Sequence, residues 1–426
     1  MAQGITEHLL DFATWDVPAD AAAMMRLSLF DWAACGIAGG REDEFAGFKT
    51  TQMGQGAGPA SLLGGGHVPA ATAALVNGTL SHALDYDDTH FAHIGHPSVA
   101  VLPAVIALGE DRGIALSQIV EAATIGVEAS VLVGLWLGRD HYQIGYHQTA
   151  TAGAFGATLA ACRLLSLSKD QTRQALGLCA SMASGIKAQF GTMAKPLNAG
   201  LAARSGVEAA LWAQSGMTAA CDGLAGPLGF GATHHGSDSA VSLPQGAWHI
   251  LSISHKFHAC CHGLHAMLEA LGQAACAPND IATLHIRTHP RWMSVCNIAS
   301  PQTGLEAKFS YAQTAAMTVL GHETGSIASY TDAITQDADI LALRSKIEVS
   351  QTDHLSETQA EVTITLRDGN THDLSHDLMA PMTLDTRAAK LRKKTSALLS
   401  APRADTLWKA AQGDTLRDLT DQLVMS

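Results

Sequence analysis

Basic residues are scarce in this chain: 26 lysines and arginines stand against 39 acidic residues, a formal net charge of -13. No run of them stands out, and a phosphate backbone needs a basic stripe, so the charge argues against a nucleic-acid partner. Cysteine is also sparse, at 8 in 426 residues, which is too few for a disulfide framework, and the adjacent Cys260 and Cys261 cannot easily bridge to each other. Reduced thiols are expected. No GxGxxG follows a strand, and neither a P-loop nor a GxSxG elbow occurs, so dinucleotide, nucleoside-triphosphate and serine-hydrolase chemistry lose their usual support. The N-terminal "MAQGITEHLLDFATWDVPAD" lacks the basic start and apolar core of a targeting segment, and no uninterrupted apolar stretch reaches the roughly 18 residues of a membrane span. These absences lead us to expect a soluble, cytoplasmic protein with no membrane partner.

What is abundant is small and apolar. Hydrophobic residues reach 47%, while charged ones make up 15%, and there are 40 glycines, a composition that suggests closely packed helices and room for a large self-association surface. The length implies two domains, or one large domain with an insertion. From Ala19 to about Gly263 the chain reads as helices punctuated by glycine, as in "AAAMMRLSLFDWAACGIAG" and "LSQIVEAATIGVEASVLVGLW". Ser168, followed by Asp170 and Gln171, reads as a helix N-cap. After about residue 280 the texture changes. "IATLHIRTH" and "QAEVTITLRDGNTHDL" alternate apolar and polar residues, with Val362, Ile364 and Leu366 on one face and a hairpin turn at Asp368-Gly369. Helical periodicity returns from Leu384. The fold class expected is mostly α: a large all-helical domain, residues 1–254 plus 385–426, and a smaller α+β lid domain, residues 255–384.

Charge is concentrated in one place. "SHALDYDDTHFAHIGHPS", residues 81 to 98, holds three aspartates and four histidines, with Gly95 and Pro97 disfavouring a plain helix. Such a loop can be a metal site built on His90, His93 and His96, a solvated polar loop, or a catalytic loop; Gly95 and Pro97 break the face that metal ligation at helical spacing requires. Lys195, one of 11 lysines, lies in "FGTMAKPLNAG" with no carboxylate within ten residues on either side. A lysine among apolar groups has a depressed pKa, a bound anion, or an ammonium that reaches water. His147 sits between Tyr146 and Gln148 before the small-residue stretch "TATAGAFGATLAA", whose helix N-terminus suits an anion. His258, His262 and His265 surround the paired cysteines and raise the question of zinc, but no second ligand pair stands at the usual spacing.

Four stretches in order, "NGTLSHALDYDDTH...GHPS", "GYHQTATAGAFGA", "GTMAKPLNAG" and "HKFHACCHGLHA", together with "TGLEAKFSYAQTAAM", resemble the motifs of the MmgE/PrpD family. That family contains 2-methylcitrate dehydratase, cis-aconitate decarboxylase and iminodisuccinate epimerase. The resemblance implies a homodimer, no required metal or organic cofactor, and a cleft for a small di- or tricarboxylate. It places catalytic roles on Asp85, His96, His147, Lys195 and Lys256, and substrate contacts on Thr89, Tyr146, Cys261 and Gln313. Two of these depart from the decarboxylase pattern: Cys261 replaces a histidine and Gln313 a tyrosine, with Tyr311 two positions away. The family chemistry moves a proton at a carbon next to a carboxylate, so lysines would stabilise the dianion while His147 or His96 carries the proton. The departures and the chain length lean toward an epimerase-like enzyme, with a dehydratase as the alternative. Less favoured are a decarboxylase, a metal-dependent hydrolase and a non-catalytic carboxylate-binding dimer.

Overall fold

The computed structural model describes residues 4–234 and 248–425; residues 1–3, 235–247 and 426 lie outside them. The chain divides into two compact units, Met1–His255 with Leu399–Ser426, and Lys256–Leu398.

Among its described residues the first unit is helical, apart from a two-residue pairing of β1 (Ala60–Ser61) with β2 (His67–Val68). Its centre is formed by the helices Ala70–Ser81, Ser98–Arg112, Leu116–Ile144, Gln148–Leu164 and Ala194–Gln214, which pack directly on one another. Small residues set the spacing. A Cβ added at Gly156 would lie 2.5 Å from the Gly126 carbonyl, and one at Gly200 only 2.2 Å from the Leu75 carbonyl, so these helices approach nearly backbone to backbone. Ala19–Gly39 and Leu116–Ile144 are long and apolar enough to span a membrane by length and composition, yet 78% and 83% of their most apolar windows are buried inside the protein. Core packing accounts for their hydropathy. Ser168 caps the helix Lys169–Ala180 in a full capping box with Gln171, the arrangement its spacing predicts.

The second unit carries the sheet. β3 (Ile281–Thr288) pairs in parallel with β4 (Ile347–Gln351) and antiparallel with β5 (Gln359–Leu366), which pairs with β6 (Thr371–Asp377). Leu284 and Ile286 oppose Ile364 and Val362 across β3 and β5, and all four are buried. Their period of two faces the helix His265–Leu271, as alternation requires. Leu366, at the strand's end, is half-buried. The β5–β6 turn places Gly369 at φ +90°, where a side chain would be strained. The return to the helical body, expected at residue 385, comes at Leu399: the helix Leu384–Leu399 stays with the second unit, where Lys390 pairs with Glu269.

Candidate active site

The acidic, histidine-rich stretch is not a helix. The helix Ala70–Ser81 ends at His82, and the chain then turns with Asp85 at φ +49° and Ile94 at φ +55°, a left-handed geometry that Asp tolerates better than most residues. Cross-links fix this loop: the Thr89 and Ser254 backbones bond in both directions, the His90 N–H donates to the Gly95 carbonyl, and the His96 N–H donates to Thr149 Oγ1 at 3.0 Å. Thr149 belongs to the first turn of Gln148–Leu164, for which His147 is the N-cap residue. Lys195 and Asn198 are three residues apart at the start of Ala194–Gln214, a spacing that puts both on one face.

These elements assemble a chain of charges. Asp87 is shared by two imidazoles: Oδ1 bonds His82 Nδ1 at 2.8 Å, and Oδ2 pairs with His96 Nδ1 at 3.0 Å. His96 Nε2 lies 3.2 Å from Asp85 Oδ1, which also pairs with Lys195 Nζ at 2.7 Å. His147 joins the cluster from the side. Its Nδ1 faces Asn198 Nδ2 at 3.2 Å, its ring stacks on His82 with centroids 6.0 Å apart, and the Phe190 ring meets it edge-on at 5.0 Å. Lys195 Nζ stands 5.4 Å from the Phe190 centroid, a cation–π distance.

The protonation states follow from this geometry. Burial pulls the His96 pKa down, but the Asp87 charge and the contacts with both carboxylates outweigh it and raise it above the ordinary value; a carboxylate oxygen faces each ring nitrogen, an arrangement that the doubly protonated imidazolium satisfies. Burial pushes Asp87 up, yet the two histidines overcome that and hold its carboxyl well below the usual range. Burial, then the positive charges of Lys195 and His96, leaves His147 far below 6.5 and neutral. His82 is neutral for the same first reason, desolvation, against the opposing pull of Asp87. With Asn198 Nδ2 donating, His147 carries its proton on Nε2; accepting a proton there requires the Asn198 amide turned to present its oxygen. Asp88 is sealed beside them, raised by burial against its bonds to Ser98, the shorter at 2.5 Å.

Asp85, His96, His147 and Lys195 are therefore brought together. Thr89 Oγ1 donates to the Ser254 carbonyl at 3.2 Å. Tyr146 stacks on His141 at 4.4 Å and meets His234 at 4.9 Å. Lys256 is buried at the start of the second unit, which also contains the half-buried Cys261. Gln313 is fully buried, its amide donating to the Ile334 carbonyl and accepting from Arg344. Tyr311 is likewise engaged, its hydroxyl bonding the Gly263 carbonyl at 2.6 Å. His82, Asp87 and Asn198 escaped the sequence reading, although the first two lie inside the charged stretch and the third one turn from Lys195. A pair of carboxylates two residues apart, flanked by histidines, was the available signal.

The three regularly spaced histidines do not converge on an ion. His90 Nε2 bonds the His249 carbonyl at 3.1 Å and His93 Nε2 bonds Ser130 Oγ at 3.0 Å, while burial lowers their pKa values to about 4 and about 3. Among the described residues the only group spaced to hold a metal is His82, Asp85, Asp87 and His96, with ligand atoms within 4.8 Å of one another. A metal there would face the ammonium of Lys195 and a protonated His96, cations that already neutralise both carboxylates.

Comparison with known proteins follows the same pattern. A cis-aconitate decarboxylase of Aspergillus terreus is 30% identical over 297 residues, 63% of this chain and 59% of its own length. A cis-aconitate decarboxylase-like protein of Aspergillus oryzae is 31% identical over 60% of this chain and 58% of its own length. The human cis-aconitate decarboxylase is 28% identical over 84% of this chain and 79% of its own length. The matches to both Aspergillus proteins thus span less than two thirds of those proteins. The MmgE/PrpD N-terminal domain matches residues 3–241 and the MmgE/PrpD C-terminal domain residues 258–413, and the chain belongs to the MmgE/PrpD family.

Proposed function

We propose that the protein is a carboxylate lyase that forms a carbanion next to a carboxylate of a small di- or tricarboxylate. The observation that carries this reading is His96, a cation clamped between two carboxylates of unequal exposure: the Asp85 side chain is 44% exposed and the Asp87 side chain 2%. A substrate carboxylate arriving at Asp85 competes for Lys195 and for His96 Nε2, while Asp87 keeps the other side of the ring fixed. Lys195 then stabilises the negative charge that develops as a bond to carbon breaks, and the N-termini of Gln148–Leu164 and Ala194–Gln214 add to the positive field.

Decarboxylation leaves the electron pair of the broken C–C bond on carbon and releases CO2; the carbon then takes a proton, which the His96 imidazolium holds. The naming of the relatives as cis-aconitate decarboxylases supports this form of the reaction. A second reading, epimerase-like or dehydratase-like, is favoured by the neutral His147 beside the charged His96, because one base and one acid in a single cluster suit proton removal followed by return or by loss of water. A bound dianion raises the His147 proton affinity toward the range a base needs. We extend the proposal to the homodimer, checked by a solution mass twice the 44.4 kDa of the chain.

Incubation in D2O with cis-aconitate, 2-methylcitrate and iminodisuccinate in turn tests the assignment. CO2 release with deuterium in the product supports decarboxylation, water loss supports the dehydratase, and exchange without net loss supports the epimerase. Absence of all three with every substrate, in protein that binds them, refutes carbanion chemistry.

A further inference from the structure

His82 lies beneath the candidate acid rather than beside the substrate. It is 1% exposed, its Nδ1 bonds Asp87 Oδ1 at 2.8 Å, and its Nε2 is buried with no hydrogen-bond partner among the described residues. The ring touches its neighbours closely, with centroids 4.6 Å from His96 and 6.0 Å from His147. Since Asp87 accepts only, the bond requires the proton on Nδ1 of His82.

We propose that His82 is a positioning residue: by donating through Nδ1 to one oxygen of Asp87, it turns the other toward His96 and limits how tightly His96 holds its proton. The physical step is simple. A carboxylate whose charge is partly satisfied by a neutral N–H attracts an imidazolium less strongly than one that is not. His82 thereby weakens the grip of Asp87 on the proton that His96 must release. The charged and titratable groups around His96 are Asp85, Asp87, Asp88, His82 and His93 on its own loop, His147 at the start of Gln148–Leu164, and Lys195 on Ala194–Gln214. Of these, His82 is the one that bonds the far oxygen of Asp87.

The inference rests on reading the cluster as catalytic, but its test does not. The full chain labelled with 15N-histidine is titrated by NMR as wild type, His82→Leu and His82→Asn. Asparagine places an amide N–H near the Nδ1 position; leucine places none. The expected result is that His96 titrates about one pH unit higher in His82→Leu, the scale of one hydrogen bond to a charged group, and returns toward the wild-type value in His82→Asn. Where turnover is measurable, the alkaline limb of kcat/KM moves with it. An unchanged or lowered His96 titration in folded His82→Leu, or a His82→Asn protein displaced as far as His82→Leu, overturns the proposal. If His82→Leu fails to fold, His82→Gln replaces it, since its amide reaches past the Nδ1 position: equal titrations in His82→Asn and His82→Gln also overturn the proposal. A displaced titration without turnover on any carboxylate condemns the catalytic reading and leaves the positioning role standing.

Discussion

Lys195 finds its carboxylate far away in the chain. No acidic residue lies within ten positions of it, yet Nζ sits 2.7 Å from Asp85 and its side chain is 16% exposed, so it neither snorkels to open water nor stays unpaired. Replacing Lys195 with Ala should lower kcat/KM by a factor corresponding to roughly 2 kcal/mol or more, the scale of losing a charge-stabilising donor. Folding survives, because Asp85 keeps His96 as a partner; circular dichroism checks that, and near-native turnover in Lys195→Ala removes the lysine from the mechanism. At this scale the sequence made Lys195 legible through its oddity and Asp85, His96 and His147 through motif order. It could not reveal Asp87 as the shared carboxylate. Three aspartates within four positions look alike until the turn at Asp85 points one outward and seals the others.

The elements hold these groups in place through backbone-to-backbone contact. Gly78 on Ala70–Ser81 and Gly200 on Ala194–Gln214 meet at the crossing of the two helices: a Cβ on Gly78 would lie 2.8 Å from Gly200 Cα, and one on Gly200 would lie 2.3 Å from Thr79 Oγ1. The first helix leads into His82 and Asp85, and the second begins with Lys195 and Asn198. Gly200→Ala should therefore push apart the two ends of the Lys195–Asp85 pair, costing about 1–3 kcal/mol of stability, as overpacking does, and lowering turnover as well. Gly47→Ala, on an exposed helix with no described neighbour within 4 Å of its Cβ, should instead stabilise by up to about 1 kcal/mol. Chemical denaturation of both variants decides the matter; a Gly200→Ala protein as stable and active as wild type rules out close packing as the positioning device. Composition made such packing legible, since glycine and alanine are plentiful in these helices. The particular crossing was not, because amino-acid counts carry no partner information.

Over the whole molecule, the change from helical to alternating texture marked the second unit, but the allegiance of Leu384–Leu399 was not readable: its periodicity announces a buried face without saying against what. That question is settled by tertiary partners such as Glu269 for Lys390. The same tertiary burial sets how stability responds to acidity. His90 and His93 are held neutral, with pKa values lowered to about 4 and about 3 by burial, and burial also lowers His82, His147 and His265. For a lowered folded pKa, the contribution is complete above the unfolded value near 6.5 and is lost as pH falls toward the folded value. Each of His90 and His93 then withdraws on the order of 3 kcal/mol or more.

Glu128 works in the opposite direction. Burial raises it to about 7, against the lowering effect of the His249 and Ile250 N–H groups that bond its two oxygens, each at 2.9 Å. A raised folded pKa contributes fully below the unfolded value near 4.3 and is lost as pH rises toward about 7. His96, also raised, loses its contribution as pH rises above 6.5 through its folded value. Between about pH 4.5 and 6.5 the histidines outnumber Glu128, so stability should climb steeply with pH, reach its maximum near neutrality and then decline slightly. Denaturant titrations across that range check the curve. Glu128→Gln should be less stable at pH 5, where it forfeits a backbone bond, and should lose part of the decline above pH 6.5, moving the maximum toward alkaline pH. A wild-type stability that is flat from pH 4.5 to 6.5 would mean that these imidazoles reach water and titrate in place, and the buried-histidine account would have to be abandoned.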